Sequence, residues 1–214
     1  MKQVIFSLII AIGFASCKNE QQETQLPYYG QHDVELIEKD GEIVSDTTYH
    51  TVPKFYLIDQ DSNQFDNSKV EGKIHVVNFF FTSCPAICPA MIAQMKRLQG
   101  MTNDIEELEF LSHTIDPKRD TLAKLRAYIE KREIDTHNWH FLYGDKAYVH
   151  ELGQDGYMLN AKEDKAAEGG FLHSEHFVLV DRSGHIRGLY VGTDVEQVNQ
   201  LNKDIRKLIS QEYE

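Results

Sequence analysis

The chain has 214 residues, with 22 Lys and Arg against 34 Asp and Glu for a net charge of −12. That length suits one domain, large enough to bury a core without disulfide staples, and 41% hydrophobic with 26% charged residues is the balance of a folded chain. So acidic a chain is unsuited to nucleic acid, whose phosphates call for Lys and Arg, and three cysteines are too few for a disulfide scaffold.

Residues 1–17 read as a lipoprotein-type signal peptide. Lys2 is the positive start, residues 4–14 are apolar apart from Ser7 and Gly13, and Ala15 and Ser16 are small. A spanning helix needs about 20 apolar residues, so this run is too short to cross a bilayer. Phe14-Ala15-Ser16-Cys17 resembles a bacterial lipobox, in which the cysteine is lipidated and becomes the mature N-terminus; Phe14 stands where Leu is usual. An ordinary signal peptide with an incidental cysteine is the alternative. The tract that follows favours lipidation: residues 18–50 are rich in Gln, Glu, Asn and Asp and read as a flexible polar tether. A short hairpin around Asp40-Gly41 is expected within it, over residues 34–44. The expected location is the bacterial cell envelope, lipid-anchored and outside the cytoplasm. The folded domain is then 51–214. Outside the cytoplasm thiols tend to be oxidised, and with Cys17 set aside the remaining thiols are Cys84 and Cys88.

Residues 54–59 predict a strand, followed by a polar turn at 60–63. Residues 74–81 (IHVVNFFF) form a continuous apolar run, as in a strand buried on both faces. After Cys84-Pro85-Ala86-Ile87-Cys88-Pro89, a helix carries Met91, Met95 and Leu98 at helical spacing, and Pro89 suits its first turn. A strand over 108–115 ends at Asp116-Pro117, and Asp120 or Thr121 can cap a helix to about Arg132. Residues 139–143 predict a strand, 146–153 a short helix, and 161–170 a mobile loop. Strands at 177–180 and 185–191 flank a glycine-containing turn. Asp194 opens a final helix with Val195, Val198, Leu201, Ile205 and Leu208 along one side. The alternation argues an α/β fold. A cysteine pair where a buried strand turns into a helix makes it thioredoxin-like, a central mixed sheet flanked by helices.

Cys84 lies in the loop and Cys88 at or near the start of that helix, where backbone N–H groups and the helix dipole stabilise a thiolate. Cys88 is therefore expected below the free thiol value of about 8.5. Two neighbouring thiolates either exchange with a disulfide or chelate a soft metal such as Cu(I). The three-residue spacer is read as a shift towards chelation. A neutral imidazole would complete the site. In a thioredoxin-like fold, the loop before the late strand faces the cysteine loop. His173 lies in that loop and can turn to the sulfurs, whereas His176 opens the strand and alternates outward. Structural zinc fits less well, since it wants four ligands. Residues 79–81 read as packing around the site. Asp116, Arg119 and Asp120 are candidates for a partner surface, though for Asp120 helix capping and strand termination is the preferred reading.

Residues 79–89 (FFFTSCPAICP), 115–121 (IDPKRDT), and His173 placed eleven residues before Gly184 with Phe-Val-Leu-Val-Asp between them, together resemble the Sco/SenC family of copper chaperones. The resemblance runs from about Val52 to Leu208. It implies a membrane-tethered, thioredoxin-like domain that faces the periplasm and binds copper through Cys84, Cys88 and His173. It also implies a task in maturing the dinuclear copper site of cytochrome c oxidase subunit II, or in loading another copper acceptor. Cu(I) is the expected form and Cu(II) stays open. Some members are assigned thiol–disulfide work, so an oxidoreductase that keeps partner cysteines reduced is the alternative. A peroxide-reducing thiol enzyme has no other support in the chain. Two departures remove charge near the metal: Leu172 and Ala86 stand where many members carry an acidic residue.

Overall fold

A computed structural model describes residues 25–85, 87–159, 162–163, 171–172 and 174–213. The leader, Cys17 and His173 lie outside the described residues. Among the described residues, no helix is long and apolar enough to cross a membrane.

The central sheet has five strands. They are β5 (Ile74–Phe80), β6 (Leu108–Thr114), β7 (Trp139–Leu142), β10 (His176–Val180) and β11 (Ile186–Val191), in the spatial order β11-β10-β5-β6-β7. β5, β6 and β7 are parallel; β10 runs antiparallel to β5, and β11 antiparallel to β10. Every residue of β5 and β6 is buried, which is why both read as unbroken apolar runs rather than alternating ones. The mixed sheet is the thioredoxin-like arrangement that the cysteine position suggested.

Four helices cover it: α1 (Cys88–Met101), α2 (Leu122–Lys131), α3 (Lys146–Glu151) and α4 (Val195–Glu212). Parallel neighbours joined by right-handed crossovers place α1 and α2 on one face, and α4 joins them. Arg97 of α1 donates to Asn199 of α4 at 2.8 Å, Lys96 reaches the Arg132 carbonyl just past α2 at 2.8 Å, and Tyr128 of α2 packs on Phe80 and Phe141. Met91, Met95 and Leu98 are fully buried, as are Val198, Leu201, Ile205 and Leu208. Val195, expected on the same stripe, is 49% exposed because it opens the helix beside its Asp194 cap. On the same side, the Trp139 indole donates to Ser112 Oγ at 2.9 Å, and Ser112 donates on to Asn78 Oδ1 at 2.6 Å. The opposite face is covered by Phe55 and Tyr157, which pack around Phe79 and His113.

Three smaller strand pairings among the described residues were only partly legible. The strand expected over 54–59 shortens to β3 (Tyr56–Ile58), and it pairs with an unforeseen β4 (Gln64–Asp66). The loop expected over 161–170 contains β8 (Lys162–Glu163), paired with β9 (Phe171–Leu172); residues 161 and 164–170 lie outside the described set. Within the stretch read as a flexible tether, β1 (His32–Lys39) and β2 (Glu42–Tyr49) form a hairpin longer than the one expected at 34–44. Asp40 and Gly41 both have positive φ, 55° and 84°, the two-residue turn whose twist suits a hairpin.

The base of that hairpin is fixed to the domain. Tyr28 stacks on Tyr49 at 4.1 Å, and the Arg187 guanidinium lies over the Tyr28 ring at 4.1 Å. Tyr29 N–H donates to the Ile186 carbonyl and Val52 N–H to that of Gly184, each at 2.9 Å. Buried Arg187 also bonds Asp181 at 2.9 Å and the Leu26 carbonyl at 2.6 Å. Residues read as tether are thus part of the fold, because β11 and its turn supply hydrogen-bond and ring partners that lie far away in sequence. The chain enters beside the β10–β11 turn, near the start of β5. The cysteines follow the end of β5, at the other pole of the sheet.

Candidate metal centre

β5 ends at Phe80, and the chain turns at once, with Cys84 N–H donating to the Phe81 carbonyl at 3.2 Å. Cys88 is the first residue of α1, with Pro89 in the first turn as the missing N–H there allows. Neither cysteine is in a disulfide, and both are buried, at 6% and 1% exposure. Phe79, Phe80 and Phe81, which lead into this turn, are buried.

The expected low Cys88 pKa is corrected. A hydrogen bond with Cys84, then burial, pushes the Cys88 thiol well above its ordinary range, and the Phe81 backbone opposes this only in part. The helix terminus loses here to the apolar surroundings and to the neighbouring sulfur. Tyr128 lies within electrostatic reach: burial pushes its hydroxyl up to about 12, and charge on either cysteine pushes the same way. A Cys88 thiol held protonated by burial and by its contact with Cys84 is a poor nucleophile on its own. The two thiols suit a cation that displaces the protons and is itself soft.

Asp120 is more than a cap. Thr121 caps α2, and Asp120 is fully buried beneath the cysteine loop. Its carboxylate accepts from Thr82 N–H at 2.8 Å, from the Thr82 hydroxyl, and from Thr114 Oγ1 at 2.8 Å, with Lys124 Nζ 3.6 Å away. One side chain therefore ties the start of the cysteine loop to the end of β6. The 38-residue separation of Thr82 and Asp120 hid this in the sequence. Asp116 is also buried and pairs with Arg119, whose guanidinium lies 5.8 Å from the Phe81 ring centre. Asp120→Asn turns an amide N–H₂ towards groups that already donate, so a cost of about 2–3 kcal/mol is expected. At about 2–4 °C per kcal/mol, thermal melts should shift down by several degrees. An unchanged melting temperature would contradict this role.

His176 is half-buried, with Nδ1 2.9 Å from Ser174 Oγ, so its ring is engaged beside its own strand. Among the described residues, no three His, Cys, Asp or Glu side chains are grouped to hold a metal ion. His173 is not among them. A cleft of about 600 Å³ is lined by Val52, Phe55, Asp66, Glu71, His75 and Arg182. It lies at the pole away from the cysteines and is separate from the thiol site.

The SCO1/SenC family model matches residues 30–210. The SCO1 protein homolog of Bacillus subtilis is 24% identical over 168 residues, covering 78% of this chain and 86% of that protein. A protein of Stutzerimonas stutzeri named for copper binding is 29% identical over 140 residues, covering 64% of this chain and 67% of its own. The crystal structure of a SCO1/SenC family lipoprotein from Bacillus anthracis is 29% identical, with a TM-score of 0.68 over 74% of this chain and 95% of that one. A thiol pair at the strand-to-helix turn of this sheet, and a family match running from the hairpin to α4, place the chain in the SCO1/SenC family.

Proposed function

We propose that the protein is a copper metallochaperone that holds one copper ion through Cys84, Cys88 and His173 and passes it to an acceptor. The observation that carries the reading is the pair of reduced, buried, contacting thiols held on a loop that Asp120 fixes from below. Two sulfurs preset side by side favour a soft monovalent cation and reject Mg²⁺ and Ca²⁺, which take oxygen ligands. Sco family proteins are copper-binding proteins of cytochrome c oxidase assembly, and the relative named for copper binding supports the same cargo. The acceptor proposed is the dinuclear copper site of oxidase subunit II.

Lipidation at Cys17 would tether the domain to the cell envelope with the domain in the periplasm, in keeping with the lipoprotein neighbour. The polar stretch before residue 25 would be the link. Entry of the chain beside the β10–β11 turn would then turn the cysteine pole away from the membrane. Cys17→Ser should release the protein from membranes or block its processing; unchanged fractionation would refute the anchor.

Titration of the reduced protein with Cu(I), counting metal per chain, tests the central reading. One tightly held ion per chain is expected. Failure to bind copper, with rapid disulfide exchange on a partner, would favour the oxidoreductase instead. The thiol pair itself gives that second reading its support.

A further inference from the structure

The β1–β2 hairpin carries a surface that copper chemistry does not use. Every residue of β1 is exposed, and none of β2 is buried. In the pairing, Val34 faces Thr47, Leu36 faces Ser45 and Glu38 faces Ile43, which sets these side chains on one face. Val34, Leu36 and Ile43 are 61%, 75% and 76% exposed there. The other face holds Asp33, Glu35, Asp46 and Glu42 around Ile37 and Val44. Residues 32–49 contain six carboxylates and one Lys, Lys39. Glu35 stands directly opposite Asp46, and like charges in that relation destabilise a strand pair.

A two-stranded hairpin alone is marginal in water. This one is held only at its base, by the Tyr28–Tyr49 stack and the Arg187 contacts, and β1 pairs with no strand but β2 among the described residues. Its outer backbone edges are therefore open to another chain. An apolar face, open edges and uncompensated negative charge fit an extended strand that brings positive charge. They do not fit a second copy, which would set six carboxylates against six. An anionic bilayer is disfavoured by the same repulsion.

We propose that the β1–β2 hairpin is a docking arm for an extended basic segment of a partner protein, added to its edge as a further strand. Lysine or arginine of that segment lies against Glu35 and Asp46, and its apolar residues cover Leu36 and Ile43. The proposal is independent of copper.

The probe is a short peptide of alternating lysine and valine, added to the full chain, with backbone hydrogen exchange as the readout. Protection is expected to rise within 32–49. Affinity should fall by about tenfold or more as ionic strength goes from 0.01 to 0.15 M, where the screening length shrinks from about 30 to about 8 Å. Glu35→Lys with Asp46→Lys keeps the cross-strand repulsion but reverses its sign, and should cost about tenfold in affinity or more. Glu106→Lys with Glu130→Lys, exposed acids elsewhere, should leave affinity unchanged. Leu36→Ser should weaken binding without altering its salt dependence. The proposal is overturned by no binding, by equal binding of a glutamate–valine peptide, or by equal losses in both charge-reversal pairs. Protection of the hairpin by phosphatidylglycerol vesicles instead of the peptide, or by raised protein concentration alone, overturns it in favour of a membrane or a second copy.

Discussion

Cys84→Ser and Cys88→Ser are each expected to take copper binding from one ion per chain to none that survives a competing chelator, because one thiolate cannot chelate. The two sulfurs are in contact and buried, and no other cysteine stands among the described residues to replace either. His173→Ala should weaken binding but leave a dithiol that can still be oxidised. His176→Ala should do little, since its ring is occupied with Ser174. Equal losses in the two histidine variants would mean that the histidine assignment is out of register. Oxidising Cys84 and Cys88 to a disulfide should release the metal, because the thiolate is the ligand. Full retention of copper by the oxidised protein would refute the ligand set.

Acid is expected to unfold the protein from an unusually high pH. Burial pushes His113 from 6.5 down to about 3, and His75 from 6.5 down to about 4 against the opposing pull of the Lys73 carbonyl, Asp181 and Glu109. The ring nitrogens of His113 meet no hydrogen-bond partner among the described residues; the ring stacks on Phe79 at 4.8 Å. Both rings are therefore neutral in the folded chain at pH 5, while in the unfolded chain they take up protons below about 6.5. Their stabilising contribution is complete above 6.5 and is lost progressively as pH falls towards the folded values. At about 1.36 kcal/mol per pH unit, the full loss is about 3 kcal/mol for His75 and about 5 kcal/mol for His113. That rivals the 5–15 kcal/mol total stability of a typical domain. Denaturant titrations at pH 7, 6, 5 and 4 check it. Carboxylates with lowered pKa, such as Glu109 with its His140 and Lys73 bonds outweighing burial, act mainly below about 4.5. The window from 6.5 to 5 therefore belongs to the histidines, and His113→Phe should flatten it. A wild-type stability that is level across that window would show that these rings are not held neutral.

What the sequence revealed tracks how local each cause is. The apolar run of β5, the Asp40-Gly41 turn, the thiol pair before Pro89 and the stripe of α4 are all set by neighbours in the chain. β4 was missed because three residues are too short for a period-two pattern. Asp120 was read as a cap since its short-range role and its true one both call for a carboxylate before a helix. Its partner Thr82 lies on another element. The Cys88 expectation failed because it weighed the helix terminus, which is legible, and not burial or the facing sulfur, which are not. His113 stood inside a strand in plain view, but nothing in Leu-Ser-His-Thr says that both of its faces are covered.

The buried link from Trp139 through Ser112 to Asn78 gives the protein an optical property. Trp139 is the single tryptophan of the chain, and it is wholly shielded from water at the first residue of β7. Ultraviolet emission from the indole therefore arises from one site, stacked on Phe141 with its N–H held. A red shift of that emission can come only from opening of the sheet's β7 edge. A drop in intensity without a shift, on adding metal, would instead report quenching across the closed core. Colour and brightness thus separate unfolding from loading in one cuvette, with no label attached.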